Sequence, residues 1–227
     1  MRSVGLGAST LELPAVSPDD IGRWNERATF TCDWTSPNFP QWMMVLKALR
    51  GRAVNVLEIG SWEGRSALFF LNYLPRSKLV CIDPFTGNAI HRNDPSMREH
   101  LARLESIFDS NVYAFGDRVE KVVAPSAAAL PKLAIGGRRF DLAYVDGCHL
   151  ATDVFSDAAL LWPMITPRGI VIFDDYGLEI DPNAHDRPKQ GIDAFLALFA
   201  GQYTVLHSGW QVIVQKVCRP EGMDMFF

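Results

Sequence analysis

Four apolar runs in this chain each lead into acidic residues, with helical patterns between them. Val56-Leu57-Glu58-Ile59-Gly60 passes into Ser61-Trp62-Glu63-Gly64, and Val80-Cys81-Ile82 ends on Asp83. Leu142-Ala143-Tyr144-Val145 ends on Asp146, and Ile170-Val171-Ile172-Phe173 ends on the pair Asp174-Asp175. Continuous apolar runs of this length are strands covered on both faces. Acids at their ends mark the carboxyl edge of an open parallel sheet, where such folds bind ligands.

Strands are expected at 54–59, 78–83, 118–123, 140–145, 169–173, 203–207 and 210–216. Helices are expected over 64–74, from Asp94-Pro95 onward with Met97, Leu101, Leu104 and Phe108 on one face, over 126–134, over 150–162 with Leu150, Val154, Ala158 and Leu161, and over 189–200. The last two strands meet at Ser208-Gly209 as a hairpin. Upstream, Ser17-Pro18-Asp19-Asp20 reads as a helix start, and a second helix runs from Pro40 to a glycine stop at Gly51. The fold class is therefore α/β: a doubly wound, mostly parallel seven-stranded sheet, Rossmann-like, with a closing antiparallel hairpin and an N-terminal helical cap. The expected organisation is a cap over 1–50, one catalytic-type domain over 51–218 and a tail over 219–227.

With 48% hydrophobic and 21% charged residues the chain has an ordinary globular composition. A net charge of −4 with scattered Lys and Arg argues against a nucleic-acid partner. No apolar stretch approaches the roughly 20 residues of a membrane span, and no signal-peptide pattern is apparent. Cys32, Cys81, Cys148 and Cys218 form no CxxC pair, which favours reduced thiols and a cytoplasmic setting.

Glu58-x-Gly60-x-x-x-Gly64 lies between a strand and a helix. Glycines there let the backbone turn sharply and approach a ligand, while the helix N–H groups face an anionic group. The spacing is not the GxGxxG of a nicotinamide site, and a plain tight turn is the other reading. Asp83 falls at the next strand end, where an acid accepts the hydroxyls of a ribose; a turn aspartate before Pro84 is its alternative.

Glu58-Ile59-Gly60-Ser61-Trp62-Glu63-Gly64-Arg65-Ser66 and Ile82-Asp83-Pro84-Phe85-Thr86-Gly87 resemble the first two motifs of class I S-adenosylmethionine-dependent methyltransferases. Tyr144-Val145-Asp146-Gly147-Cys148-His149 and Val171-Ile172-Phe173-Asp174-Asp175-Tyr176-Gly177 are similar to the macrocin-type sugar O-methyltransferases, which resemble catechol O-methyltransferases in their metal site. The likeness covers roughly residues 40–217. It implies a cofactor site of Glu58, Gly60, Ser61, Trp62, Gly64, Ser66, Asp83, Ser126 and Asp146. Gly60, Ser61 and Ser66 would meet the methionine part, Asp83 the ribose, and Ser126 the adenine, although Ala124-Pro125 replaces the usual glycine. Trp62 would shield the sulfonium or pack on the sheet.

The strands ending at Asp146 and Asp174 are neighbours in such a winding, so three carboxylates converge. Acids that close raise one another's pKa, and a hard divalent cation relieves the repulsion. The resemblance assigns the metal ligands as Asp146, Asp174 and Asp175, with Mg²⁺ as the cation. It also places a catalytic base at His149, three residues after Asp146. A locally bonded helix-start histidine is the alternative for His149, and a helix cap with a solvated acid the alternative for the Asp pair.

Loops 30–39, 86–94 and 176–188, carrying Trp34, His91, Tyr176 and His185, are long enough to cover the sheet edge. The expected function is Mg²⁺-dependent methylation of a hydroxyl on a small acceptor, a sugar, phenol or other natural-product-like molecule, with a homo-oligomer left open. A metal-independent N- or carboxyl-methyltransferase is the second reading. A cofactor-binding module without catalysis is the third.

Overall fold

Alternate residues of the central strands go to opposite layers, and that alternation builds the molecule. The computed structural model describes residues 13–178 and 187–217. His185, Cys218, the expected tail and the first twelve residues of the expected cap lie outside the described residues. The strands are β1 (Val54–Ile59), β2 (Ser77–Ile82), β3 (Val119–Val122), β4 (Phe140–Val145), β5 (Ile165–Phe173), β6 (Tyr203–Ser208) and β7 (Val212–Lys216). The helices are α1 (Pro18–Asn25), α2 (Phe39–Leu46), α3 (Arg65–Tyr73), α4 (Ala89–Asn93), α5 (Arg98–Leu101), α6 (Leu104–Val112), α7 (Ser126–Ile135), α8 (Ala151–Leu161) and α9 (Pro188–Leu198).

Val56, Cys81, Leu142, Tyr144 and Ile172 pack with α2, α3 and α6 on one face. Leu57, Val80, Ala143, Val145 and Val171 pack with α7, α8 and α9 on the other. A period of two with both faces apolar is what a sheet covered on both sides requires. In the first layer Trp42 is wholly buried, stacked on Phe70 at 5.0 Å and edge-on to Tyr144 at 4.9 Å, so α2 is part of the core.

The sheet order is β3-β2-β1-β4-β5-β7-β6. Strands β1 to β5 pair in parallel, and β7 runs antiparallel to both β5 and β6. The chain steps outward from β1 to β3, then returns to lay β4 on the other side of β1. That reversal opens a crevice above the carboxyl ends of β1 and β4. Backbone bonds pin the rim beyond the strands: Gly60 N–H donates to Ile82 O (2.9 Å), Asp146 N–H to Ile59 O (2.8 Å) and Asp174 N–H to Val145 O (3.0 Å).

The expected helix start at Ser17 is a reciprocal capping box with Asp20. The helix expected after Asp94-Pro95 is instead broken into a 3₁₀ turn, α5 and α6. Leu104 and Phe108 are buried, Phe108 against Gly64 and Phe85, while His100 turns to Glu63. One straight helix does not serve both, and the chain bends at Ala102-Arg103. Leu150 ends up as an exposed N-cap rather than a core residue of α8. β5 starts earlier than expected, at Ile165, and absorbs Pro167-Arg168 at a register shift where Arg168 takes a positive φ of 66°.

Candidate active site

Backbone strain gathers on the carboxyl rim. Trp62 (φ 47°), Phe85 (φ 52°) and Asp175 (φ 57°) follow β1, β2 and β5 in the left-handed region, which side chains other than glycine seldom adopt. Such positions persist only where the surroundings over-determine them.

The first of these lies in the glycine turn. Gly60 has φ 85°, and a Cβ there would sit 1.8 Å from the Asp146 carbonyl oxygen. Gly64 has φ 84° as the N-cap of α3, with the Phe108 ring directly against it. Beneath the turn, Asp83 accepts from Ser61 N–H (2.8 Å) and Trp62 N–H (2.9 Å) through Oδ2 and from Phe85 N–H (2.6 Å) through Oδ1. Burial raises the Asp83 pKa against those three donors. Oδ2 is filled by its two donors, while Oδ1 keeps acceptor capacity for a further hydroxyl.

Glu58 is wholly buried under the turn, accepting from Ser61 Oγ at 2.5 Å and Cys81 Sγ at 3.3 Å. Burial pushes its pKa from 4.5 to about 7, and its Oε1 has no hydrogen-bond partner. A carboxyl whose folded pKa exceeds its unfolded one binds more protons when folded, so its contribution to stability falls as pH rises between 4.5 and 7. The shift corresponds to about 3 kcal/mol. Glu58→Gln is therefore expected to flatten that fall. Chemical denaturation of both proteins from acidic to neutral pH reads it; parallel curves would show that Glu58 is not protonated in the fold.

The acids of β4 and β5 do converge. Tyr144 sits two residues before Asp146 on the same face of β4, and its hydroxyl lies between the Asp146 carboxylate (2.9 Å) and that of Asp174. Burial, then the charges of Asp174 and Asp175, raise the Asp146 pKa well above the usual carboxylate range. Burial and Asp175 also raise that of Asp174. Behind Asp174 stands Gln211, whose Oε1 accepts from Trp42 Nε1–H at 2.7 Å and whose Nε2 closes no hydrogen bond.

His149 Nε2 lies 3.0 Å from Asp175 Oδ2. Burial works against a charged imidazole, but the Asp175 hydrogen bond and the charges of Asp175 and Asp174 outweigh it and raise the pKa. Its Nδ1 is buried without a partner. Asp146, His149 and Asp175 each offer one ligand atom, all within 4.8 Å of one another. The residues thus brought together differ from the three expected metal ligands in one respect: Asp174 faces Tyr144, and His149 stands beside Asp146 and Asp175. The donor set of carboxylate oxygens and one imidazole nitrogen fits a small divalent cation.

A cleft beside these acids is lined by Trp34, Gly60, Ser61, Trp62, Ser66 and Asp146. Trp62 packs with Trp34 (ring centroids 5.8 Å apart), His91 (4.7 Å) and His100 (5.2 Å), so it is both wall and packing residue. Ser126 is engaged elsewhere: at the start of α7 its side chain bonds the Asp157 carboxylate, whose pKa burial lifts to about 6. Among the described residues Cys32, Cys81 and Cys148 are free thiols, and no helix is long and apolar enough to cross a membrane.

Sequence reasoning gave no role to Tyr144, although a spacing of two from Asp146 places both on one face. It gave none to Gln211 or Glu63, whose partners Trp42 and Thr31 are distant in sequence.

The sequence matches the methyltransferase-domain family over residues 57–176, more than half of the chain. The chain belongs to the methyltransferase-domain family. Comparison with curated protein sequences gives no match. Among solved structures, MycE from the mycinamycin biosynthetic pathway, in complex with Mg, SAH and mycinamycin VI, superposes with a TM-score of 0.61 at 20% identity, over 89% of this chain and 56% of MycE. This methyltransferase-domain chain thus spans little more than half the length of MycE. The O-methyltransferase from Bacillus cereus in complex with SAH gives 0.61 at 19% identity, over 88% of this chain and 90% of that one. TomG from Streptomyces achromogenes, an O-methyltransferase involved in tomaymycin synthesis and solved with SAM, gives 0.58 at 18% identity, over 88% and 89%. These likenesses establish a shared Rossmann-like methyltransferase fold with antiparallel closing strands.

Proposed function

We propose that the protein transfers a methyl group from S-adenosylmethionine to a hydroxyl of a small molecule, with a divalent cation, Mg²⁺ first, at the acceptor. One observation carries the reading: Asp146 both lines the cleft of the glycine turn and belongs to the group that can hold a cation. Donor and acceptor sites therefore share a wall, which is what direct transfer between them needs. The cation, when bound, supplies a Lewis acid that makes an acceptor hydroxyl more acidic, and the cofactor supplies the electrophilic methyl group.

The chain's own groups do the rest. Gly60 and Gly64 let the backbone approach the methionine part, with Ser61 and Ser66 beside it. Asp83 holds the turn and receives a ribose hydroxyl on Oδ1. Asp146 and Asp175 hold the cation, and Tyr144 fixes Asp174 behind them. Asp175 only accepts, so a neutral His149 carries its proton on Nε2 and keeps a lone pair on Nδ1; that nitrogen is buried without a partner here and would take the acceptor's proton once the bound acceptor reaches it. The relatives' roles in mycinamycin and tomaymycin synthesis support a natural-product-like acceptor, and the free thiols support a cytoplasmic setting.

The His149–Asp175 pair also favours a second reading, a base oriented by a carboxylate with no cation, acting on an amine or carboxyl acceptor. Chelation separates the two. Labelled cofactor with a panel of phenols and glycosides should give product with Mg²⁺, lose it on exhaustive chelation and regain it when Mg²⁺ returns. Turnover that survives chelation selects the second reading. His149→Ala is expected to cut the rate at least about a hundredfold with Mg²⁺ affinity retained; lost Mg²⁺ affinity would make His149 a ligand instead.

A further inference from the structure

The buried charge of Glu63 has no part in that chemistry. Glu63 sits inside the glycine turn and is 1% exposed. Its carboxylate accepts from Thr31 N–H (2.9 and 3.1 Å) and Thr31 Oγ1–H (2.8 Å), with His100 Nε2 at 3.6 Å. A carboxylate stripped of water needs such donors, and leaving it without them costs about 1–3 kcal/mol or more.

The neighbouring residues of the same segment are tied in the same way. Asn111 Oδ1 accepts from Thr29 N–H (2.8 Å), while its Nδ2 donates to Thr29 O (2.9 Å) and to Glu63 O (2.7 Å). Arg65 lies 3.9 Å over the Phe30 ring and donates to Cys32 O at 3.1 Å. Four consecutive residues, 29–32, are thus held by side chains from the turn, from the start of α3 and from α6. Just beyond them, Trp34 lies on Trp62 and stacks on His91 at 6.1 Å, with Cys32, Trp34 and Thr35 lining the cleft.

We propose that Glu63 is a positioning residue that latches segment 29–35 over the glycine turn, making this segment the roof of the donor cleft and its release the step that sets how fast the cofactor leaves. The inference rests on the proposed cofactor site. Asp83 clamps the turn from below through the Ser61 and Trp62 amides, and the latch clamps it from above through Thr31 and Asn111. A turn held on both sides has less freedom to lose when a ligand binds, which favours affinity.

The variants are Glu63→Gln, which keeps the shape and removes the charge, and Thr31→Val, a change at an exposed position that removes one donor. Calorimetry with S-adenosylmethionine and S-adenosylhomocysteine gives affinity, stopped-flow tryptophan fluorescence gives dissociation rates, and hydrogen exchange follows the Thr29 and Thr31 amides. Affinity should fall about five- to tenfold in both variants, through faster dissociation, as expected for one buried acceptor left short of a donor. Thr31→Ser, which keeps the hydroxyl, should restore it. The Thr31 amide should be protected in the wild type and exchange faster in Glu63→Gln, where a single neutral amide oxygen replaces two carboxylate acceptors.

Unchanged dissociation in folded Thr31→Val and Glu63→Gln would overturn the latch, as would unprotected Thr29 and Thr31 amides in the wild type. Should Glu63→Gln fail to fold, Thr31→Val decides alone. A wild-type chain that binds neither compound overturns the cofactor site and the latch together, a result distinct from a wild type that binds and variants that match it.

Discussion

Asp175→Asn is expected to lower kcat by about tenfold or more while cofactor affinity stays within about a factor of three, because the cation site exchanges a charged oxygen ligand for a neutral amide oxygen and the donor cleft is untouched. Asn is the informative replacement. Asp175 has φ 57°, a conformation that Asn tolerates far better than Ala, so the change removes charge without moving the chain. The same substitution replaces the carboxylate that His149 faces at 3.0 Å with a neutral amide, so the bond that orients the proton acceptor is weakened. Both effects fall on the acceptor side. Calorimetry with the cofactor and initial rates at saturating cofactor check the split. Equal losses in affinity and rate would mean that the rim acids and the glycine turn form one site rather than two adjoining ones.

Gly60→Ala should abolish measurable cofactor binding and destabilise the fold by about 3 kcal/mol or more. The added methyl would lie 1.8 Å from the Asp146 carbonyl oxygen, and φ 85° is disfavoured for alanine in any case. Neither backbone is free to give way. Gly60 N–H is bonded to Ile82 O and Asp146 N–H to Ile59 O, so relief on one side breaks the rim on the other. Gly22→Ala is the control. Gly22 lies inside α1 with nothing within 4 Å, and there the change should stabilise by about 0.5–1 kcal/mol. Chemical denaturation and calorimetry read both variants. A Gly60→Ala protein that binds the cofactor normally would remove the turn from the site.

Much of the frame was legible because strand and helix signals are local. The buried runs at 54–59, 78–82 and 140–145 alternate between two layers, and their terminal acids fall on one edge by topology alone. The break between α5 and α6 was not legible. A helical period in Met97, Leu101, Leu104 and Phe108 says nothing of the separate demands that Glu63 and the core place on either half. Leu150 misled for the same reason: its spacing fits α8, but the chain enters the helix there and leaves it in solvent.

The sequence by itself determined the alternation of strands and helices and the placing of Gly60, Asp83, Asp146, Asp174 and Asp175 at strand ends, since each follows from period, length and the residue at a strand end. The winding that sets those ends on one rim was implied by the resemblance to methyltransferases and is seen in the strand order. Tertiary structure alone decided which groups on that rim face each other. It turned Asp174 to Tyr144, set His149 against Asp175 and tied Thr31 to Glu63 across the cofactor turn. Side-chain pairing between segments far apart in the chain depends on packing angles and on which buried charge needs a partner, and no local pattern encodes either.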